Sequence, residues 1–321
     1  MLEWASLRGR HDMRVTDGFP PVASSGERAR QASKPGIALA LGGGAARGWA
    51  HIGVLRALEE AGIEIDMIAG TSIGALVGGC YLAGKLDELE EFARSLTKRR
   101  MFGLLDLHIG GNGLFGGMKL DARMQMHLNG TTFADLPKPL VCVAAEIRTG
   151  HEIWLSSGSL ITAMRASYAL PGVFEPVTCN GRVLVDGALV NPVPVSVCRA
   201  HEQPLVVAVN LHYDVFGRAA VIKHSADAPT PGETTLVVDK GPNDREARLG
   251  IMGVMVEAFN IIQDRISRSR LAGDPPDLSL QPKLGHIGLS EFHRADESIR
   301  LGYEATMAQI NELKRLQSVL A

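Results

Sequence analysis

The sequence predicts an α/β fold built on parallel neighbouring strands. Three observations carry that expectation. Ile37–Leu41 is an unbroken apolar run that ends at Gly42-Gly43-Gly44, the pattern of a buried strand entering a turn. Residues 63–69 read as a second strand, which ends at Gly70-Thr71-Ser72-Ile73-Gly74. Between the two, Ile52, Leu55 and Leu58 recur at helical spacing over residues 47–61, and Gly62 stands where a helix C-terminus favours a residue tolerant of the left-handed region. Two strands joined by one helix become parallel neighbours with a right-handed crossover. A helix over residues 73–83, apolar and rich in glycine, completes the unit.

The rest of the chain extends this unit. Residues 1–34 are polar and mixed and read as a mobile tail, with residues 35–321 as the folded domain. Residues 85–98 have the spacing of an amphipathic helix. Residues 99–117 are apolar but carry six glycines, which fits either a flap over a site or an ordinary packed loop. A short helix over 120–128 precedes a buried strand over 140–148. Thr149-Gly150 turns the chain into a strand over 151–155, and residues 159–169 form a helix with Ser159 as N-cap. A strand over 182–185 delivers Asp186-Gly187-Ala188. Residues 205–211 are a further buried strand, and 214–248 an irregular loop. A long helix over 251–271 shows an apolar stripe (Met255, Phe259, Ile262, Ile266). A strand over 278–281 and a final helix over 290–320 close the chain.

Composition narrows the function classes. The 321 residues are 45% apolar, enough for a large core, and the net charge of −2 offers no general attraction to nucleic acid. The four cysteines (Cys80, Cys142, Cys179, Cys198) have neither metal nor disulfide spacing, which suits a reduced cytoplasmic compartment. No apolar stretch is long enough for a membrane span, and the first residues lack the apolar core of an export signal.

Two turns should therefore lie side by side at the carboxyl ends of adjacent parallel strands, where open α/β sheets place their sites. Gly43-Gly44-Ala45 offers backbone N–H groups beside a helix start, an anion-binding arrangement. Gly70-Thr71-Ser72-Ile73-Gly74 is G-x-S-x-G, a nucleophile elbow that exposes the Ser72 hydroxyl; a Cβ at Gly70 or Gly74 would collide with neighbouring backbone. Together they suggest a serine that attacks an acyl carbonyl while backbone donors receive the oxyanion. Either turn alone is weak. The glycine turn could hold a nucleotide, but it lacks the G-K-[ST] of a P-loop, and Ala45 breaks the G-x-G-x-x-G pattern. No histidine stands in a convincing setting for the base, and His51 falls one turn into a helix, where packing or capping is its simpler role. Asp186 ends a strand before Gly187-Ala188. It reads either as a base acting directly on the serine or as an aspartate bonded to its own turn.

These segments resemble the patatin-like phospholipase family, especially its bacterial members. The resemblance rests on Gly42-Gly43-Gly44-Ala45-Ala46-Arg47-Gly48, Gly70-Thr71-Ser72-Ile73-Gly74 and Asp186-Gly187-Ala188, in that order. Ala166-Ser167, residues 170–174 and Asn191-Pro192-Val193-Pro194 add to it. The resemblance implies a three-layer α/β/α sandwich with a mostly parallel central sheet and hydrolysis of fatty-acyl esters of lipids. It implies a Ser72–Asp186 pair without histidine, with the N–H groups of Gly43, Gly44 and Ala45 as oxyanion donors. Arg47 would orient the turn or balance charge. It implies no metal and no organic cofactor, and a lipid or acyl-ester substrate met through peripheral membrane contact. The departure is Ala45, where the family has glycine; a positive φ there would cost activity. The competing reading is a regulatory or scaffold protein that keeps the fold and turns over little.

Overall fold

The computed structural model describes residues 35–97, 116–216 and 251–320. The expected tail (1–34), the bulk of the glycine-rich segment (99–115) and most of the irregular loop (217–248) lie outside these residues.

The strands are β1 (Ile37–Leu41), β2 (Ile65–Thr71), β3 (Leu140–Glu146), β4 (Glu152–Leu155), β5 (Val177–Cys179), β6 (Arg182–Asp186), β7 (Val206–Val209) and β8 (Leu278–Leu280). The helices are α1 (Ala50–Glu60), α2 (Ile73–Leu82), α3 (Leu86–Arg94), α4 (Gly116–Leu128), α5 (Leu160–Tyr168), α6 (Val195–Ala200), α7 (Ile251–Gly273), α8 (Ala295–Met307) and α9 (Ile310–Leu320). Pairing runs β5-β6-β3-β2-β1-β7-β8, with β4 also on β3. β1, β2, β3, β7 and β8 pair in parallel, whereas β4, β5 and β6 pair antiparallel.

Every residue of β1 is buried, as a strand covered on both faces requires. Ile37, Leu39 and Leu41 point into a core shared with α1, α2 and α8 (Ile52, Leu55, Leu76, Ile299). Ala38 and Ala40 point the other way, onto Val195, Val197 and Cys198 of α6 and Leu271 of α7. The period-2 alternation thus feeds two apolar layers and produces the expected three-layer α/β/α arrangement. Among the described residues no helix is long and apolar enough to cross a membrane.

Four local differences from the sequence expectation have physical causes. A 3-10 turn over Ala45–Trp49 precedes α1, because the chain must swing out of the glycine turn before regular helix begins. The last helical stretch divides into α8 and α9 after Met307. The hairpin β5–β6 was not expected. It turns on Asn180-Gly181, both at positive φ (49° and 76°), so the Asn-Gly pair was its available signal. Finally, α7 exposes Met255 and Ile262 of its apolar stripe, while Asn260, Gln263, Asp264 and Ser267 are buried.

Candidate active site

The sheet register brings the two candidate residues together. β4 flanks one edge of β3 over Cys142–Ala145. The opposite edge is shared by two strands. β2 arrives in parallel and ends with Thr71 opposite Val143; β6 arrives antiparallel and ends with Asp186 opposite Ala144. The two strand ends therefore abut beside β3, and the residue after β2, Ser72, meets the last residue of β6. Ser72 Oγ donates to Asp186 Oδ2 at 2.6 Å.

Ser72 has φ 57° and ψ −124°, the strained conformation of a nucleophile elbow. Packing holds it there. A Cβ on Gly70 would lie 2.5 Å from Ala75 Cα, and one on Gly74 would run into the Leu41 carbonyl oxygen. Ser72 N–H donates to Ser167 Oγ at 2.9 Å, and Ser167 donates onward to the Val143 carbonyl at 2.6 Å. The sequence pattern around Ala166-Ser167 does not show this role; a hydroxyl at the end of an amphipathic helix is its available signal. Ser167→Ala removes the acceptor from a buried N–H, a loss of about 1–3 kcal/mol. It is expected to lower kcat about tenfold with KM little changed, as read in an ester-hydrolysis assay.

Asp186 is 2% exposed. Its Oδ1 accepts from Ala188 N–H at 2.8 Å while Oδ2 accepts from Ser72. One carboxyl oxygen thus contacts the serine and the other the aspartate's own turn. Burial pushes its pKa up to about 7, against the pull of the Ser72 and Ala188 hydrogen bonds. No histidine among the described residues hydrogen-bonds either side chain. His51 donates Nε2–H to the Gly42 carbonyl at 2.7 Å, and burial lowers its pKa to about 4, so it packs as a neutral strut for the glycine turn. His201 contacts its own helix at the Val197 carbonyl, and His286 pairs with Glu297. His212 is buried, with its pKa lowered to about 3 by desolvation and then by Arg47.

The glycine turn lies against Ser72, but its donors are not equivalent. Gly43 N–H donates to the Pro192 carbonyl at 2.9 Å. Docking the turn on Asn191-Pro192 thus uses the Gly43 N–H, one of the three donors the resemblance implies. Gly44 and Ala45 N–H have no acceptor among the described residues. Ala45 has φ 47°, in the left-handed region that costs alanine roughly 1 kcal/mol. The surroundings over-determine the turn. Ala46 N–H donates to the Leu289 carbonyl, and buried Arg47 donates through Nε to the Ile287 carbonyl at 2.7 Å and through Nη1 to Asn260 Oδ1 at 3.4 Å. Burial lowers the Arg47 pKa against the pull of Asp214 and Glu257. Ala45→Gly is expected to raise Tm by relieving that strain without loss of activity; thermal unfolding checks it, and a lower Tm would mean that the turn bears no such strain.

A network missed by sequence reasoning ties these parts together. Thr71 Oγ1 donates to the Asn191 carbonyl at 2.8 Å, and Asn191 Nδ2 donates to Glu152 Oε1 at 2.7 Å. Glu152 also accepts from Trp154 Nε1 and Arg270 Nη2. The 191–192 segment thus holds both the elbow and the glycine turn.

A serine bonded to a buried carboxylate, beside a turn with free backbone donors, is an arrangement for acyl transfer. A family model described as patatin-like phospholipase matches residues 39–199, which span the glycine turn, the elbow and Asp186. An uncharacterized NTE-family protein of Mycobacterium tuberculosis is 34% identical over 328 residues, covering 86% of this chain and 91% of that protein. The chain belongs to the patatin-like phospholipase family. A second uncharacterized NTE-family protein of M. tuberculosis is 34% identical over 94% of this chain and 50% of its own length. Patatin-like phospholipase domain-containing protein 6 of Mus musculus is 34% identical over 54% of this chain and 13% of its own. Family membership makes this patatin-like chain a member of a lipid acyl hydrolase family. The M. tuberculosis relatives extend the likeness beyond the shared motifs, to most of the chain.

Proposed function

We propose that this chain hydrolyses fatty-acyl esters of lipids through an acyl-enzyme on Ser72, with Asp186 as the base and residues 35–321 as the hydrolase domain. The observation that carries the reading is the 2.6 Å hydrogen bond from Ser72 Oγ to Asp186 Oδ2 at the meeting point of β2 and β6. A general base works best with a pKa near the working pH, and burial holds Asp186 at about 7.

The steps follow. Ser72 Oγ attacks the ester carbonyl carbon as its proton passes to Asp186. The oxyanion accepts from Gly44 and Ala45 N–H. The tetrahedral intermediate collapses, and Asp186 returns the proton to the leaving alkoxide, which departs as the alcohol. Water then gives a proton to Asp186 and attacks the acyl carbon. Collapse releases the fatty acid, and Ser72 regains its proton. Ester and water become acid and alcohol, and the sequence of steps calls for neither metal nor organic cofactor. Arg47 holds the turn through its bonds to Ile287 and Asn260 rather than touching the reacting atoms. The substrate would be met at a lipid surface by peripheral contact, and the four free cysteines suit a reducing cytoplasm.

The test is turnover. The protein is incubated with dispersed phospholipid, with lysophospholipid and with a soluble p-nitrophenyl ester. Free fatty acid and deacylated alcohol released in equal amounts over many turnovers support the reading. Stoichiometric or no release supports a scaffold instead.

A further inference from the structure

α7 packs over the catalytic turn with its polar side inward. Asn260, Gln263, Asp264 and Ser267, spaced to share one helical face, are all buried, whereas Val254, Met255, Ile261 and Ile262 are exposed. That reverses the usual amphipathic arrangement, and a buried polar face is costly unless its groups are paired. Asn260 accepts from Arg47 and Asp264 from Arg268. Gln263 is 2% exposed, and its Oε1 has no partner among the described residues.

The position of that atom matters. The point a Cβ on Gly43 would occupy lies 3.2 Å from Ala188 Cβ, 3.4 Å from Gln263 Oε1 and 3.5 Å from Ser72 Cβ. The carboxamide therefore faces Ser72 across the bare face of Gly43, beside the turn that follows Asp186. On this side of Ser72 the backbone donor is spent, since Gly43 N–H is bonded to Pro192. A half-turn about the Gln263 Cγ–Cδ bond would put Nε2–H where Oε1 now stands, and Oε1 gives up no hydrogen bond in leaving.

Resting on the reading of Ser72 as nucleophile, we propose that Gln263 is a further catalytic residue: its amide N–H donates to the ester oxygen as negative charge develops, and completes the oxyanion site with Gly44 and Ala45. A neutral amide suits this place, because a preorganised donor stabilises the developing charge without bringing another charge into a buried site.

The experiment measures kcat, KM and the rate of modification by a fluorophosphonate for wild type, Gln263→Ala and Gln263→Glu, with Ser72→Ala alongside and folding followed by circular dichroism. Gln263→Ala is expected to lower kcat by about 10²-fold, the usual loss for one oxyanion donor, with KM within about threefold. Fluorophosphonate modification should slow in parallel, because its phosphoryl oxygen uses the same donors. Gln263→Glu, nearly isosteric, keeps the fold question separate. Ionised, it only accepts; it should be as poor as Gln263→Ala at pH 8 and gain on that variant as falling pH gives its carboxyl a proton to donate. Gln263→Ala within threefold of wild type, with Ser72→Ala inactive, would overturn the role of Gln263 and leave the Ser72 reading intact. Gln263→Glu as active as wild type at pH 8 would overturn the donor role. An active Ser72→Ala would overturn both.

Discussion

Ser72→Ala is expected to lower kcat on a short p-nitrophenyl ester by about 10³-fold or more, with the far-ultraviolet circular dichroism unchanged. The magnitude follows from losing the atom proposed to form the acyl-enzyme; what would remain is the binding and polarisation supplied by the turn. The fold should survive, because the strained backbone at φ 57° is held by Gly70, Gly74 and the Ser167 hydrogen bond rather than by the Ser72 hydroxyl. The variant leaves Asp186 Oδ2 without its donor, so the carboxyl becomes still harder to ionise. Retained turnover would place the nucleophile elsewhere.

Asp186→Asn is the second large effect. Asparagine keeps the shape and can still accept from Ala188 N–H, but it cannot take a proton. A loss of about 10²–10⁴-fold is expected. Single changes of His51, His201, His212, His224, His286 and His293 to glutamine should each stay within a few-fold; His224 lies outside the described residues, so only the kinetics speak for it. A histidine variant as inactive as Ser72→Ala would restore a triad. An aspartate base would ordinarily keep kcat/KM high well below the imidazole pKa. Here burial lifts Asp186 to about 7, so the profile should be half-maximal near that pH and fall about tenfold per unit below it. The acid limb then resembles that of a histidine, and the variants, not the profile, separate the two. Stability moves with the same group. A carboxyl whose pKa rises from 3.8 to about 7 on folding contributes stability that is full below pH 3.8 and is lost as pH rises through about 7. Asp186→Asn carries no such charge, so its Tm relative to wild type should be higher at pH 8 than at pH 5.

The strand–turn–helix units around Gly42–Gly44 and Gly70–Gly74 were legible in the sequence because they rest on local rules: apolar runs, helical spacing and glycine where Cβ does not fit. The approach of Asp186 to Ser72 was not legible from the residues alone. It depends on β6 running antiparallel beside β3 and stopping one residue past the end of β2, a long-range register that no local pattern encodes; the family resemblance suggested the pair, and the register supplies its geometry. The family resemblance implied three donors in the glycine turn, and nothing in the sequence says that Pro192 will accept from Gly43. The burial of α7 was not legible for a related reason. Hydrophobic periodicity assumes an oily interior, but the surface under α7 holds Arg47 and the glycine turn, so the helix buries Asn260 and Gln263 and exposes Ile262. The strain at Ala45 was anticipated only as a condition, and φ 47° meets it.

Ser72, activated by Asp186, is proposed to form the covalent intermediate. The most direct measurement is mass spectrometry of the full chain after reaction with a fluorophosphonate, with the modified peptide sequenced, for wild type and Asp186→Asn. One adduct per chain, on Ser72, is expected, formed at least about 10²-fold more slowly in Asp186→Asn. An adduct on another residue, or an unmodified Ser72 in a protein that still hydrolyses esters, would contradict it.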